Sequence, residues 1–224
     1  SKIYSSDFPV ENRPVLIASD VTSKFTERER SIPIIGQHVR AVIENTSGNV
    51  AIFAPSYSMM ERIHSDFVNL GWSSKKILKE EQRMSKGGVE SMISKLYEQK
   101  EMGGAVIFGV LNGKLSEGVD YSDNVLDSLV CIGLPLPPPS SKQDSLIDYF
   151  TKKFDRNRAW KYASLQPAVN SVLQALGRPI RKKEDRAIIV LLESRILERR
   201  VSDCMPPMMK IQTSNPSRTA ERVK

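Results

Sequence analysis

Short, continuous runs of apolar residues recur along the chain, and longer amphipathic segments separate them. Six runs are candidate strands, at residues 14–19, 49–54, 76–78, 105–110, 126–133 and 187–192. A strand that is apolar on both faces belongs in a parallel sheet, because helices must cover both sides of such a sheet. The pattern therefore predicts an α/β fold, a parallel β-sheet with helices on both faces.

The segments between these runs carry apolar residues at helical spacing. Predicted helices cover residues 28–45, 56–71, 89–100 and 146–162, and a further helix begins at Pro167. Right-handed crossovers place the ends of all strands at one edge of a parallel sheet, where ligands usually bind. Three loops that follow strands are therefore candidate ligand loops, at residues 56–57, 113–120 and 193–195.

The chain is basic, since 33 lysines and arginines against 26 acidic residues give a net charge of +7. An anionic partner is expected, although net charge does not choose between nucleic acid, nucleotide and membrane surface. Two cysteines are too few for a disulfide framework, and we interpret Cys131, in an apolar run, as a buried hydrophobic residue. His38 and His64 lack metal-ligand spacing, so we interpret them as structural and predict no metal site.

The sequence contains no signal peptide and no apolar run of membrane-spanning length. We therefore expect an intracellular protein without a membrane partner, in the cytoplasm or nucleoid of a prokaryote or in the nucleus of a eukaryote. Because the sequence starts at Ser1 and not at a methionine, we expect a processed chain or an excised fragment.

Residues 174–181 combine a glutamine with two arginines at a predicted helix end. Gln174 and Arg178 are four residues apart and share one face of that helix. Pro179 lacks an N–H and restricts the residue before it, so the helix ends or kinks there. Arg178 and Arg181 would then form a rigid corner of two guanidiniums, which match phosphate oxygens with paired hydrogen bonds. The alternative is an ordinary helix end with solvated or carboxylate-paired arginines.

A second motif, Gly-Lys-x-Ser-Glu-Gly-x-Asp-Tyr, occupies residues 113–121 after a predicted strand. Together with Gln-x-x-Gly-Arg-x-x-Arg at residues 174–181, it resembles the fifth and sixth motifs of the XPD-like DNA helicases of superfamily two. Residues 52–57 lie where the fourth motif would be, and residues 20–28 resemble the segment that leads into the second motor domain of this family. The resemblance covers residues 14–195 and implies a RecA-like fold of the P-loop NTPase type.

The chain departs from the family in three features that belong to the first motor domain and its insertions. It has no P-loop, no paired-acid magnesium motif and no set of four cysteines for an iron–sulfur cluster. The resemblance therefore implies the second motor domain alone, without a P-loop of its own. We expect this domain over residues 14–212, after a leading segment at residues 1–13 and before a frayed tail at residues 213–224.

In this family ATP lies between two RecA-like domains, so the resemblance implies that the second domain contributes residues in trans. Arg178 and Arg181 would reach the β- and γ-phosphates as arginine fingers, and Gln174 would orient the site or an attacking water. The fifth motif would supply the cofactor-binding residues Gly113, Glu117, Gly118 and Asp120. Its glycines permit positive φ and close backbone approach, and its carboxylates would accept hydrogen bonds from a ribose or pair with the arginines. The alternative is an ordinary acidic turn.

Hydroxyls, cations and aromatic rings that can stack on bases mark candidate contacts to single-stranded DNA. These are Ser56 and Tyr57 at a helix start, Thr22 and Lys24 in a loop, Trp160 among the cations of residues 152–161, and Arg195 after the last predicted strand. Exposed N–H groups at a helix start favour phosphate. The alternative for Trp160 is a tryptophan at the rim of the core, and the alternative for Arg195 is a helix cap.

The resemblance implies the second motor domain of an ATP-dependent DNA helicase that moves 5′ to 3′ on single-stranded DNA. ATP with magnesium would be shared with the first motor domain, an iron–sulfur cluster would belong only to the missing part, and this chain alone would not hydrolyse ATP. Expected partners are single-stranded DNA, the first motor domain and a repair or transcription complex. The alternative is a non-catalytic single-strand-binding or adaptor domain on the same frame.

Overall fold

The computed structural model describes residues 8–71, 75–206 and 210–224. Within these residues, seven strands form one sheet in the order β3-β4-β2-β5-β6-β1-β7, and every neighbouring pair is parallel. The strands are β1 Val15–Ala18, β2 Val50–Ala54, β3 Lys76–Lys79, β4 Ala105–Val110, β5 Ser128–Ile132, β6 Ile188–Leu192 and β7 Lys210–Thr213. The predicted parallel sheet and its six predicted strands are confirmed, and β7 is an addition.

Helices connect the strands in the alternation that the sequence predicts. They are α1 Arg28–Asn45, α2 Tyr57–Asn69, α3 Lys86–Lys100, α4 Lys114–Glu117, α5 Ser141–Thr151, α6 Arg156–Trp160, α7 Gln166–Leu176, α8 Arg199–Ser202 and α9 Pro216–Val223. Short 3₁₀ turns occur at Val10–Asn12 and Ser194–Leu197, and a π-helical turn at Lys161–Leu165 joins α6 to α7. None of the helices in the described ranges is both long and apolar enough to cross a membrane.

Alternate residues of each strand enter two separate hydrophobic cores. One core holds Ile17, Phe53 and Cys131 and receives side chains of α3, α4 and α7. The opposite core holds Leu16 and Ile52 and receives side chains of α1, α2 and α9. Helices therefore cover both faces, which explains why the central strands are apolar on both sides.

The tail at residues 213–224 is ordered, so the prediction that it is frayed is wrong. Its helix α9 packs against α1, and Thr219 and Val223 are only 0% and 5% exposed. His38 lies fully buried in α1, with its Nδ1 2.9 Å from Thr219 Oγ1 and its Nε2 3.0 Å from Asp20 Oδ1. The polar sequence concealed this docking, because the helix is held by few buried groups: Thr219, with its buried hydrogen bonds to His38 and Thr213, and Val223.

The predicted helix at residues 146–162 is broken, which corrects a second expectation. Helix α5 ends at Thr151, and the side chain of Asp155 starts α6 by accepting hydrogen bonds from the N–H groups of Asn157 and Arg158, each at 3.0 Å. An aspartate at such a position satisfies the free N–H groups of a new helix start and so favours a break over a continuous helix.

The leading segment at residues 1–13 is described only from Phe8 onward, so residues 1–7 lie outside the described part. The carbonyl oxygen of Asn12 accepts a hydrogen bond from the N–H of Ala187 at 3.0 Å, and the Asn12 side chain donates to Lys183 O at 2.8 Å. These contacts hold the segment beside the start of β6, next to the point where the chain enters β1.

Candidate functional site

The arginine corner lies at the end of α7, which stops at Leu176 just before Pro179, as the sequence predicts. Arg178 folds back onto the loop between β4 and β5. Its Nε donates to Ser116 O at 2.7 Å, its Nη1 donates to Val119 O at 2.8 Å, and its Nη2 donates to Glu117 O. One guanidinium thus binds three carbonyl oxygens of the fifth-motif loop, and the two motifs form one unit.

Arg181 occupies the outer side of the same corner. Its Nε lies 3.0 Å from Asp120 Oδ1, and both side chains are substantially exposed. Its backbone is fixed by Asp185, a buried carboxylate that the sequence analysis missed. Asp185 Oδ2 accepts hydrogen bonds from the N–H groups of Arg181 and Lys182, each at 2.7 Å. The Asp185 side chain therefore holds the turn after Pro179 through backbone N–H groups that lie three and four residues before it.

A cleft of about 430 Å³ opens between the arginine corner and the loop. It is lined by Glu117, Leu173, Gln174, Gly177, Arg178 and Arg181. Burial, and then the positive charge of Arg181, lowers the pKa of Arg178. A guanidinium stays protonated in spite of such a shift, so two adjacent positive charges face this cleft and suit an anion with several oxygens.

The loop glycines Gly113 and Gly118 were predicted to permit positive φ and close backbone approach. Gly113 and Gly118 have φ of −87° and −99°, so neither needs the positive φ that glycine permits. A Cβ atom on Gly113 would lie 2.7 Å from the carboxylate of Glu80. Close approach is therefore required at Gly113, but toward Glu80 inside the protein and not toward an open surface.

Glu80 is a buried carboxylate at the end of β3 that the sequence analysis did not select. It is 1% exposed and accepts hydrogen bonds from the N–H groups of Val110 at 3.1 Å and Lys114 at 2.8 Å. The hydroxyl of Tyr57 donates to it at 3.2 Å. Burial, together with the negative charge of Glu80, raises the pKa of Tyr57 to about 12. The available signal was an acidic residue directly after a short strand of the sheet, Lys76–Lys79.

The predicted DNA-contacting residues at the start of α2 lie at the carboxyl edge of the sheet. Ser56 is exposed and caps α2 by accepting a hydrogen bond from Met59 N at 3.3 Å. Tyr57 is half-buried because its hydroxyl turns inward to Glu80. Ser56 is therefore the more exposed of these two candidates.

A second buried carboxylate, Glu193, contacts two of the candidate DNA-binding residues, Thr22 and Arg195. It is 1% exposed, accepts a hydrogen bond from Thr22 Oγ1 at 2.7 Å and forms an ion pair with Arg195 at 2.7 Å. Burial alone would lower the pKa of Arg195, but the hydrogen bonds and charge of Glu193 outweigh burial and raise it. Lys24, by contrast, is exposed and pairs with Glu27 at 2.9 Å. Lys24 is thus the accessible cation of this group.

Trp160 is half-buried and packs against the core, with the guanidinium of Arg200 5.9 Å from its ring centroid. Three neighbouring rings are more open, at 50%, 38% and 43% exposed for Tyr149, Phe154 and Tyr162. The segment therefore presents aromatic rings to solvent, although Trp160 is the least accessible of them.

The candidate residues fall into two groups that one loop connects. Ser56, Tyr57, Thr22 and Arg195 follow strands and lie at the carboxyl edge of the sheet, whereas the arginine corner precedes β6. The loop after β4 starts at the carboxyl edge, where Lys114 N donates to Glu80. It reaches Arg178 at Ser116 and Val119, six and nine residues after the last residue of β4. Among the residues that the structure describes, no three His, Cys, Asp or Glu side chains form a group that could hold a metal ion.

A parallel sheet covered by helices on both faces, without a P-loop in its sequence and with Arg178 bound to the loop between β4 and β5, has the architecture of a RecA-like helicase domain. Sequence comparison agrees with this class. A model of the helicase C-terminal domain family matches residues 39–212, and the chain belongs to this family. The resemblance to XPD-like superfamily two helicases is confirmed.

Individual relatives point the same way. The chain is 26% identical over 226 residues to the ATP-dependent DNA helicase CHL1 of Scheffersomyces stipitis, across 90% of this chain and 27% of that protein. It is 28% identical to the ATP-dependent DNA helicase XPD of Sulfolobus acidocaldarius, across 80% of this chain and 31% of that protein. A solved XPD helicase structure matches with a TM-score of 0.70 at 24% identity, covering 90% of this chain and 35% of that one, and confirms the RecA-like fold. The chain thus spans less than a third of the length of these two relatives.

Proposed function

We propose that this chain is the second motor domain of an ATP-dependent DNA helicase and forms one wall of an ATP site whose P-loop lies on a first motor domain. The observation that carries the proposal is the clasp of Arg178 on Ser116, Glu117 and Val119, which fixes one arginine and leaves Arg181 at the open side of the cleft. The relatives named above are ATP-dependent DNA helicases, which supports the same activity for the parent protein.

Arg178 and Arg181 have different roles in this proposal. Arg178 holds the loop and brings its positive charge to the back of the cleft. Arg181, which is 37% exposed and held by one exposed carboxylate, turns to the γ-phosphate when the domains close. A cation placed there stabilises the charge that develops as the γ-phosphoryl group leaves. Gln174 is exposed on the same wall and orients the attacking water.

In this proposal ATP enters the cleft through its phosphates, because two guanidiniums line it. The magnesium ion of the ATP complex, the P-loop and an iron–sulfur cluster are assigned to the first motor domain and its insertions, as the family resemblance implies. The exposed carboxylates of Glu117 and Asp120 are available to a ribose hydroxyl once the cleft closes. The chain alone has no turnover in this proposal, because its sequence contains no P-loop to hold the phosphates.

Single-stranded DNA lies along the carboxyl edge of the sheet. In this proposal its accessible contacts in the described part are Lys24 and Ser56, together with the first N–H groups of α2. The other candidates stabilise this edge from within the protein: Tyr57 binds Glu80, and Thr22 and Arg195 bind Glu193. Cycles of closure and opening then move the helicase 5′ to 3′ inside the cell, in a repair or transcription complex.

A two-domain enzyme, in which this chain is joined to an XPD-type first motor domain, tests the proposal. Arg181→Ala should lower kcat for ATP by roughly 10³-fold or more, as for other arginine fingers, and leave the Kd for single-stranded DNA within about threefold. Lys182→Ala is the matched control, because this neighbouring exposed cation pairs with Asp123 outside the cleft. ATP turnover by the isolated chain, or a loss of DNA affinity without a loss of kcat, would contradict the proposal.

A further inference from the structure

Glu80 joins three separate segments of the molecule. Its Oε1 accepts hydrogen bonds from the Tyr57 hydroxyl at 3.2 Å and from Lys114 N at 2.8 Å, and its Oε2 accepts one from Val110 N at 3.1 Å. The side chain is buried, and within the described residues no cation forms an ion pair with it. Its charge is therefore held by N–H and O–H dipoles alone, which makes each of these bonds strong and geometrically demanding.

These bonds lead by short steps to the arginine corner. Lys114 N starts α4, and within the same turn Gly113 N donates to Ser116 Oγ at 3.0 Å. The carbonyl oxygen of Ser116 then accepts the 2.7 Å bond from Arg178 Nε. Gly113 permits this arrangement, because any Cβ there would collide with the Glu80 carboxylate. Glu80 thus fixes the start of a four-residue helix whose end carries the carbonyls that hold Arg178.

The same carboxylate also reaches the edge where the proposed DNA path lies. Tyr57 is the first residue of α2, directly after the helix cap Ser56. A displacement of the α2 start changes the position of the Tyr57 hydroxyl and, through Glu80, the position of Lys114 N. We infer that Glu80 is a positioning residue that sets the Arg178 cradle and transmits the position of the DNA edge to it. This inference rests on the proposed function of Arg178 and Arg181.

Glu80→Gln in the two-domain enzyme tests the inference. Val110 N and Lys114 N donate to different oxygens of the carboxylate. A glutamine has an oxygen at only one of these positions and an NH₂ donor at the other, so one of the two N–H groups loses its acceptor. We expect kcat for ATP in the presence of single-stranded DNA to fall about tenfold, with the KM for ATP within about twofold, because a small displacement of a catalytic group lowers turnover more than binding. Glu81→Gln is the matched control, since this neighbouring glutamate is exposed, and it should leave both constants unchanged.

Turnover is normalised to the active fraction measured by nucleotide titration, so a loss of folded protein does not imitate the effect. In the isolated chain, amide hydrogen exchange should be faster at residues 110–118 in Glu80→Gln and unchanged at β2. Glu80→Asp, a shorter carboxylate that keeps the charge, should lower kcat in the same direction and replaces the glutamine variant if that variant does not fold.

The outcomes separate this inference from the proposed function. If Glu80→Gln and Glu80→Asp keep the wild-type kcat while Arg181→Ala loses it, Glu80 is only a structural carboxylate and the inference is wrong. If Arg181→Ala and Arg178→Ala both keep the wild-type kcat, the proposed function fails first. If kcat falls equally with and without DNA, Glu80 positions the Arg178 cradle, but the inference that it transmits the position of the DNA edge is wrong.

Discussion

Arg181 Nε lies 3.0 Å from Asp120 Oδ1, in an ion pair whose side chains are 37% and 69% exposed. An ion pair this open to water stabilises a protein by only about 0–1 kcal/mol, so a competing anion can displace Asp120 at little cost. Arg178 differs, because three carbonyl oxygens hold its guanidinium. The two arginines of the corner are therefore unequal: one is a fixed part of the fold and one is available to a ligand.

Removal of the Asp120 carboxylate should show that Arg181 is available to a ligand. Asp120→Asn should change the free energy of unfolding by less than about 1 kcal/mol and strengthen anion binding in the cleft, because Arg181 loses its competitor. Thermal shift with pyrophosphate measures the affinity. Asp123→Asn is the control, since Asp123 pairs with Lys182 beyond the cleft. Equal pyrophosphate affinity in the two variants would show that Asp120 does not restrain Arg181.

Replacement of the fixed arginine should lower stability. Arg178→Lys keeps the positive charge, but an ammonium cannot reproduce the planar fork that reaches three carbonyls. We expect a loss of about 1–3 kcal/mol in urea unfolding, from carbonyl oxygens left without donors. Arg181→Lys should cost less than about 1 kcal/mol. A larger loss in Arg181→Lys than in Arg178→Lys would reverse the roles assigned here.

Stability should fall in mild acid because of His38. Burial lowers the pKa of His38 more than Asp20 raises it, so the folded state disfavours the proton. The contribution of His38 is complete above its unfolded pKa of about 6.5 and is lost as the pH falls through that value. The melting temperature should therefore decrease between pH 7.5 and 5.5, and His38→Gln should flatten this decrease. His64, whose pKa is also lowered by burial, contributes with the same sign, and His64→Gln separates the two.

The docked tail should matter for folding. Val223→Ala should cost about 1–3 kcal/mol in urea unfolding, since this side chain is 5% exposed against the α1 core. Arg222→Ala, at the exposed neighbouring position, should have little effect. Equal stabilities would mean that α9 does not pack against α1 in solution.

Lys24 and Arg195, both near the carboxyl edge of the sheet, should differ in the effect of their replacement, because Lys24 is exposed and Arg195 is mostly buried. Lys24→Ala should lower the salt dependence of single-stranded DNA binding by about one unit of log–log slope and leave folding intact. Arg195→Ala should instead lower stability by roughly 3–5 kcal/mol, because it leaves the buried Glu193 unpaired. Binding titrations at several salt concentrations and urea unfolding measure the two effects. A stable Arg195→Ala protein with weak DNA binding would make Arg195 a direct contact.

Hydrophobicity alone located the central sheet, because strands buried on both faces have no polar positions to obscure them. It did not locate β7, whose four residues include Lys210 and Gln212 and pair with β1 at the edge of the sheet. Whether a short polar segment forms an edge strand depends on its tertiary contacts, and the sequence of the segment alone does not reveal those contacts. The same limit explains why the docking of α9 was not predicted.

The sequence pattern singled out the two arginines and the exposed loop carboxylates Glu117 and Asp120, but it did not single out the buried carboxylates. Arg178 and Arg181 stand out by their spacing around Pro179. Glu80, Asp185 and Glu193 look like solvated acids in sequence, and only the fold reveals that they are buried and bonded to backbone N–H groups or to Arg195. Every residue has a backbone carbonyl, so no sequence motif could identify the carbonyl oxygens that accept hydrogen bonds from Arg178.

The two cysteines differ in accessibility, because Cys131 lies fully buried in β5 whereas Cys204 lies partly exposed after α8. Burial also raises the pKa of the Cys131 thiol, which suppresses the reactive thiolate. A maleimide dye should therefore label Cys204 first. Modification of Cys131 would then record opening of the central sheet, so the chain carries both a fluorophore attachment point and an internal reporter of its own unfolding.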